Sequence, residues 1–152
     1  MSETENNQGS CFIDTNIWLY AFVKTQDSKK SVIASSIIQE KEIIISTQII
    51  SEVCVNLIKK IQFPEEDIQK LITSFYEKYT IVEISKEILL KASELRKQNA
   101  LSYWDSIVVA SALYFDTDIL YSEDMQDGLR VENKLVITNP FRDLASEKLE
   151  KE

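Results

Sequence analysis

No histidine occurs anywhere in this chain, and only two glycines, Gly9 and Gly128, and two prolines interrupt it. Each scarcity excludes a chemistry. Without imidazole there is no Ser-His-Asp or Cys-His nucleophile system, no histidine general acid or base, and no Cys/His zinc cluster. With glycine so rare, neither a P-loop nor a GxGxxG dinucleotide fingerprint can be built. The two cysteines, Cys11 and Cys54, lie inside apolar segments and read as buried thiols of a reducing compartment. No apolar run is long enough to cross a bilayer, and the opening "MSETENNQGS" lacks the basic and apolar regions of a signal peptide. The expectation is a cytoplasmic protein with no membrane partner. Basic residues are also in deficit: the net charge of −8 argues against a broadly basic nucleic-acid surface and leaves carboxylates as the main chemical equipment.

What remains is enough for one folded unit. A chain of 152 residues, 44% hydrophobic and 28% charged, can bury a substantial core. Residues 1–9 read as a disordered N-terminal tail, residues 10–141 as a single domain, and residues 142–152 as a charged C-terminal tail. No repeat, low-complexity tract or linker divides the domain.

Within it, short β-rich runs alternate with longer amphipathic ones. "SCFID" reads as a buried strand followed by a helix from about Asn16; "SKKSVIASSIIQEK" is a helix leading into the strand "EIIIS". Thr47 is positioned to cap the helix "QIISEVCVNLIKKI", and Pro64 to open "PEEDIQKLITSFYEKY". "YTIVEI" is a third strand, "KEILLKASELRKQ" and "SYWDSIVVASALYF" two more helices, and "DILYS" and "KLVIT" two final strands. This alternation predicts a three-layer α/β/α fold with a central, mostly parallel sheet of about five strands.

In such sheets a ligand crevice lies beyond the carboxyl ends of the strands. Asp14 ends the first strand and Asp124 follows another. Glu52 and Asp105 lie near the starts of two helices, so all four acids fall near one edge. Each also has a local reading. Asp14 can be a turn residue at a strand end, and Glu52 a solvated helix residue. Asp105 completes a capping box with Ser102, and Asp124 shares its loop with Glu123 and Asp127.

Four stretches, "FIDTNIWLYAF", "TQIISEVCVNL", "LSYWDSIVVASAL" and "ILYSEDMQDG", closely resemble in order the acidic signatures of PIN-domain ribonucleases, nearest the VapC toxins of toxin–antitoxin pairs. The resemblance spans about residues 10–140. It implies a site of Asp14, Glu52, Asp105 and Asp124 holding Mg²⁺ or Mn²⁺, with Asn16 supporting the first aspartate and Ser122 orienting a metal-bound water. Glu123 and Asp127 compete for the role of the last acid. Metal-assisted hydrolysis of RNA to 5′-phosphate and 3′-hydroxyl ends is the implied activity; a cognate antitoxin and a homodimer are the implied partners. RNA contacts would fall to local basic residues, Lys24, Lys29 and Lys30 or Arg96 and Lys97, with Tyr103 and Trp104 available to stack on a base or pack in an interface.

Two other readings within the family are a non-toxic RNA-processing nuclease and a catalytically silent scaffold that binds protein or RNA. Retention of all four acids opposes the scaffold. Haloacid-dehalogenase chemistry is excluded because position 16, where its second carboxylate would stand, is Asn. A response-receiver site fails as well, lacking adjacent acids on the first strand.

Overall fold

The computed structural model describes residues 9–23 and 27–144. The expected N-terminal tail, except Gly9, and the C-terminal tail beyond residue 144 lie outside the described residues, as does Lys24.

The strands are β1 (Ser10–Ile13), β2 (Glu42–Ser46), β3 (Thr80–Val82), β4 (Ile119–Tyr121), β5 (Arg130–Val131) and β6 (Leu135–Thr138). They form one sheet in the order β3-β2-β1-β4-β6-β5, parallel except for β5 against β6. Strand β1 is central: Phe12 pairs with Ile44 of β2 on one side and Leu120 of β4 on the other. Flanked by strands and covered on both faces, its Cys11, Phe12 and Ile13 are buried. That is why the run is continuously apolar instead of alternating.

The helices are α1 (Thr15–Phe22), α2 (Ser28–Glu40), α3 (Thr47–Ile61), α4 (Glu65–Lys78), α5 (Lys86–Gln98) and α6 (Tyr103–Tyr114). The chain runs outward from β1 to β2 to β3, then returns across the sheet to β4. Right-handed crossovers therefore place α1–α4 on one face and α5–α6 on the other, giving the three layers expected. Packing agrees, with α1 against α2 and α3, and α5 against α6. Trp18 of α1 anchors the first face. It is fully buried, donates its indole N–H to the Ile13 carbonyl at 3.2 Å, and packs edge-on against Phe75 of α4.

Three local expectations need correction. Helix α1 begins at Thr15 with Asp14 as its cap, one residue ahead of Asn16. Helix α3 is capped by Ser46, whose hydroxyl accepts from the Ile49 amide at 3.2 Å, while Thr47 is already helical. The cap must keep extended backbone, and Ser46 is the last residue of β2. The sheet has six strands because β5 folds back onto β6 through a turn whose central residues, Glu132 and Asn133, both have positive φ. Two residues are too few to show a strand period, and Glu is not a turn signal for that conformation.

Candidate active site

The sheet order reverses at β1, so the crevice lies between the carboxyl ends of β1 and β4. Asp14 leaves the end of β1 there, and its amide bonds the Tyr121 carbonyl at 2.9 Å. Its two oxygens are both occupied: Oδ1 accepts from the Thr15 amide at 2.8 Å and Oδ2 from the Ser122 hydroxyl at 3.0 Å. Ser122 is completely buried and also accepts from the Met125 amide at 3.2 Å. Its proton is directed to Asp14, so Ser122 holds that carboxylate in place.

Helix α3, on the far side of β2, brings in Glu52. Its Oε2 accepts from the Thr15 hydroxyl at 2.7 Å and its Oε1 from the Gln48 amide at 3.2 Å. Helix α6 carries Asp105 in its first turn. Ser102 caps that helix, accepting from the Asp105 amide at 3.1 Å. The return half of the capping box, from the Ser102 amide to the Asp105 carboxylate, is not made among the described residues, although the Ser102 hydroxyl also acts on the Asp105 carboxyl and holds it down. Asp124, on the exposed loop after β4, accepts from the Asn16 side-chain amide at 2.7 Å. Asn16 was expected to support Asp14. It reaches Asp124 instead, because Asp14 is already satisfied and position 16 lies one residue inside the helix, facing the loop.

The four acids act on one another electrostatically. Burial pushes Asp14 up to about 6; the bonds from Thr15 and Ser122 oppose that shift, and the charges of Asp105 and Glu52 add to it. Asp105 is raised too, first by burial and then by Asp124 and Glu52, with Ser102 opposing. Glu123 and Asp127 do not join them. Glu123 accepts from the Tyr20 hydroxyl at 2.8 Å and pairs with Lys30 at 2.5 Å. Asp127 accepts from the Asn139 amide at 2.8 Å and pairs with Arg142 at 3.3 Å, which holds it below the usual carboxylate range.

Among the described residues no group of three or more Asp, Glu, Cys or His side chains is gathered tightly enough to hold an ion as it stands. The chemistry of the donors fits one nonetheless. They are all carboxylate oxygens, hard ligands suited to Mg²⁺ or Mn²⁺. A divalent cation is also what their mutual repulsion and the desolvation of Asp14 call for.

The surroundings give the crevice two flanking grooves. One, of about 670 Å³, runs between α1 and α3 past Asn16, Leu19, Leu57 and Lys60. The other, of about 580 Å³, borders Gln48 and Glu52 and is walled by Tyr103, Trp104 and Leu89. Trp104 is 60% exposed. Of the basic residues expected to meet RNA, Lys30 is engaged by Glu123 and Arg96 lies over the Tyr103 ring at 6.0 Å. Sequence reasoning missed Thr15, buried and bonded to Glu52. A hydroxyl directly after Asp14 was the only signal, and its partner lies far along the chain.

The profile of the PIN domain family matches residues 11–127. The chain belongs to the PIN domain family. The fold of this PIN domain is also that of several solved structures. One is a toxin–antitoxin complex from Klebsiella pneumoniae, with a TM-score of 0.65 and 21% identity over 86% of this chain and 98% of that one. A second is Mycobacterium tuberculosis VapC20, a sarcin–ricin loop cleaving toxin, with a TM-score of 0.62 and 15% identity over 76% and 90% of the two chains. A third is VapBC2 from Rickettsia felis bound to a promoter DNA fragment, with a TM-score of 0.59 and 20% identity over 85% and 98%. No curated protein sequence matches this PIN domain.

Proposed function

We propose that this PIN domain is a metal-dependent endoribonuclease, the toxin of a VapBC-type pair. The observation that carries the reading is the convergence of Asp14, Glu52, Asp105 and Asp124 on one sheet edge, with Asp14 pushed up to about 6 by burial and by its acidic neighbours. Similarity of fold to VapC toxins supports the toxin role, and antitoxin complexes among those structures support an antitoxin partner. RNA as substrate, a homodimer and a cytoplasmic location complete the proposal.

Asp14, Glu52, Asp105 and Asp124 would hold Mg²⁺ or Mn²⁺. When bound, the ion supplies Lewis acidity toward a phosphoryl oxygen and a water of lowered pKa. The chain's own residues do the positioning. Ser122 and the Thr15 amide fix Asp14, the Thr15 hydroxyl and Gln48 fix Glu52, and Asn16 fixes Asp124. In-line attack on the scissile phosphate needs no histidine and would leave 5′-phosphate and 3′-hydroxyl ends.

The test compares wild type with Asp105→Asn on mixed RNA, with Mg²⁺ or Mn²⁺ and with EDTA, recording product ends and thermal melting. Cleavage that needs metal, leaves 5′-phosphates, and falls more than about 100-fold in a variant that melts like wild type is the expected result. A variant that cuts as well as wild type removes Asp105 from the site. If wild type cuts no RNA under any metal, the nuclease reading gives way to a binding scaffold.

A further inference from the structure

The loop after β4 carries Glu123, Asp124 and Asp127 within a few residues; Asp124 meets α1 through Asn16, and Glu123 meets it through Tyr20. Glu123 and Asp127 are each tied down by partners of their own. Both oxygens of Glu123 are taken, Oε1 by the Tyr20 hydroxyl at 2.8 Å and Oε2 by Lys30 Nζ at 2.5 Å. Lys30 also reaches the Tyr20 hydroxyl at 3.4 Å and lies over the rings of Tyr20 and Phe141, at 5.0 and 5.3 Å from their centroids. The two rings pack edge to face. The pair is largely shielded, with side-chain exposures of 25% for Lys30 and 19% for Glu123, so its geometry is fixed more firmly than that of a surface ion pair. Beyond Asp124, Met125 is buried, Asp127 accepts from the Asn139 amide, and the Gly128 amide donates to the Ile137 carbonyl at 2.7 Å. The peptide that presents Asp124 is therefore anchored at its own neighbour by a cation from α2.

We propose that Glu123, clamped by Lys30 and Tyr20, is a positioning residue that aims Asp124 at the acid cluster, so that Lys30 raises divalent-cation affinity without touching the ion. The cation part rests on the metal-dependent reading above; the aiming of Asp124 does not. The proposal has an unusual sign. By charge alone, removing a lysine beside an acidic site tightens the binding of a cation. By positioning, removing it lets the loop relax and weakens binding.

The experiment uses the full chain and four proteins: wild type, Lys30→Met, Glu123→Gln and Tyr20→Phe. Tyr20→Phe deletes a single hydroxyl and keeps the measurement open if a charge variant fails to fold. Mn²⁺ affinity is measured calorimetrically. The metal-free Asn16 side-chain amide resonances are followed by NMR as a direct report on the bond to Asp124. Metal dependence of RNA cleavage supplies the activity readout. Expected are an approximately tenfold loss of Mn²⁺ affinity in both charge variants, a smaller one in Tyr20→Phe, and shifted or broadened Asn16 resonances. The KM for Mn²⁺ rises while kcat at saturating Mn²⁺ is retained. Tighter Mn²⁺ binding in Lys30→Met with loss of binding in Glu123→Gln overturns the proposal and makes Glu123 a ligand. Unmoved Asn16 resonances in every variant overturn it whatever the affinities do. If wild type binds no Mn²⁺, the metal reading fails by itself and the Asn16 resonances alone decide whether Glu123 aims Asp124.

Discussion

Asp14 holds its negative charge in a place that disfavours it. Burial, more than its acidic neighbours, pushes its carboxyl up to about 6 from an ordinary value of 3.8. Between those two values the folded state binds more protons than the unfolded state, so stability declines as pH rises through the window. Above about 6 the penalty is complete. Asp14→Asn removes the charge and keeps a residue that caps helices well. In EDTA at pH 7.5 the variant should unfold with about 2–3 kcal/mol more stability than wild type, and the difference should shrink toward zero near pH 4. Urea titrations at the two pH values check this; a variant less stable at pH 7.5 would mean that the Ser122 bond outweighs desolvation. The Thr15 amide and the Ser122 hydroxyl act as the local compensation, each donating a hydrogen bond to the Asp14 carboxylate.

At the scale of elements, the start of α6 separates two duties that the sequence left superimposed. On local grounds "SYWD" reads first as a capping box, and the family resemblance adds the site motif. In the structure Ser102 does the capping through the Asp105 amide, while the Asp105 carboxylate feels the charges of Asp124 and Glu52. Ser102→Ala should therefore cost about 1 kcal/mol of stability, seen as a lower melting temperature, with RNA cleavage reduced less than tenfold. Asp105→Asn should do the reverse. If the two variants lose activity equally, the cap and the site are one device. Elements were legible where length allowed. Helix α3 follows from its apolar side, Ile49, Ile50, Val53, Leu57 and Ile61, of which the first four are buried and Ile61, at the helix end, is exposed. Strand β5 was not legible, because two residues carry no period and its turn depends on positive φ at Glu132 and Asn133.

For the molecule as a whole, the proposed metal site would couple ion binding to folding. A cation that binds the folded chain and not the unfolded one stabilises it by mass action, by about 2.7 kcal/mol at a hundred times the dissociation constant. Adding Mg²⁺ or Mn²⁺ should raise the melting temperature of wild type in proportion to the logarithm of concentration, and chelation should reverse it. Asp14→Asn and Asp124→Asn should show a much smaller response. An equal rise in all three proteins would point to weak surface binding and away from the acid cluster.

The sequence alone determined the architecture and narrowed the chemistry. The lack of histidine leaves carboxylates as the most plentiful chemical equipment, and alternating strands and helices lead to a parallel sheet with crossovers, which places strand-end acids near one edge. Tertiary structure decided the partnerships. Asn16 meets Asp124 and Ser122 meets Asp14, each 108 positions apart, and Lys30 meets Glu123 across 93. These bonds depend on the β1–β4 register and on where α1 and α2 dock against the loop after β4. No local pattern encodes them. The same docking gave the three neighbouring acids different partners: Asp124 takes Asn16 at the start of α1, Glu123 takes Tyr20 further along α1 and Lys30 of α2, and Asp127 takes the Asn139 amide and Arg142.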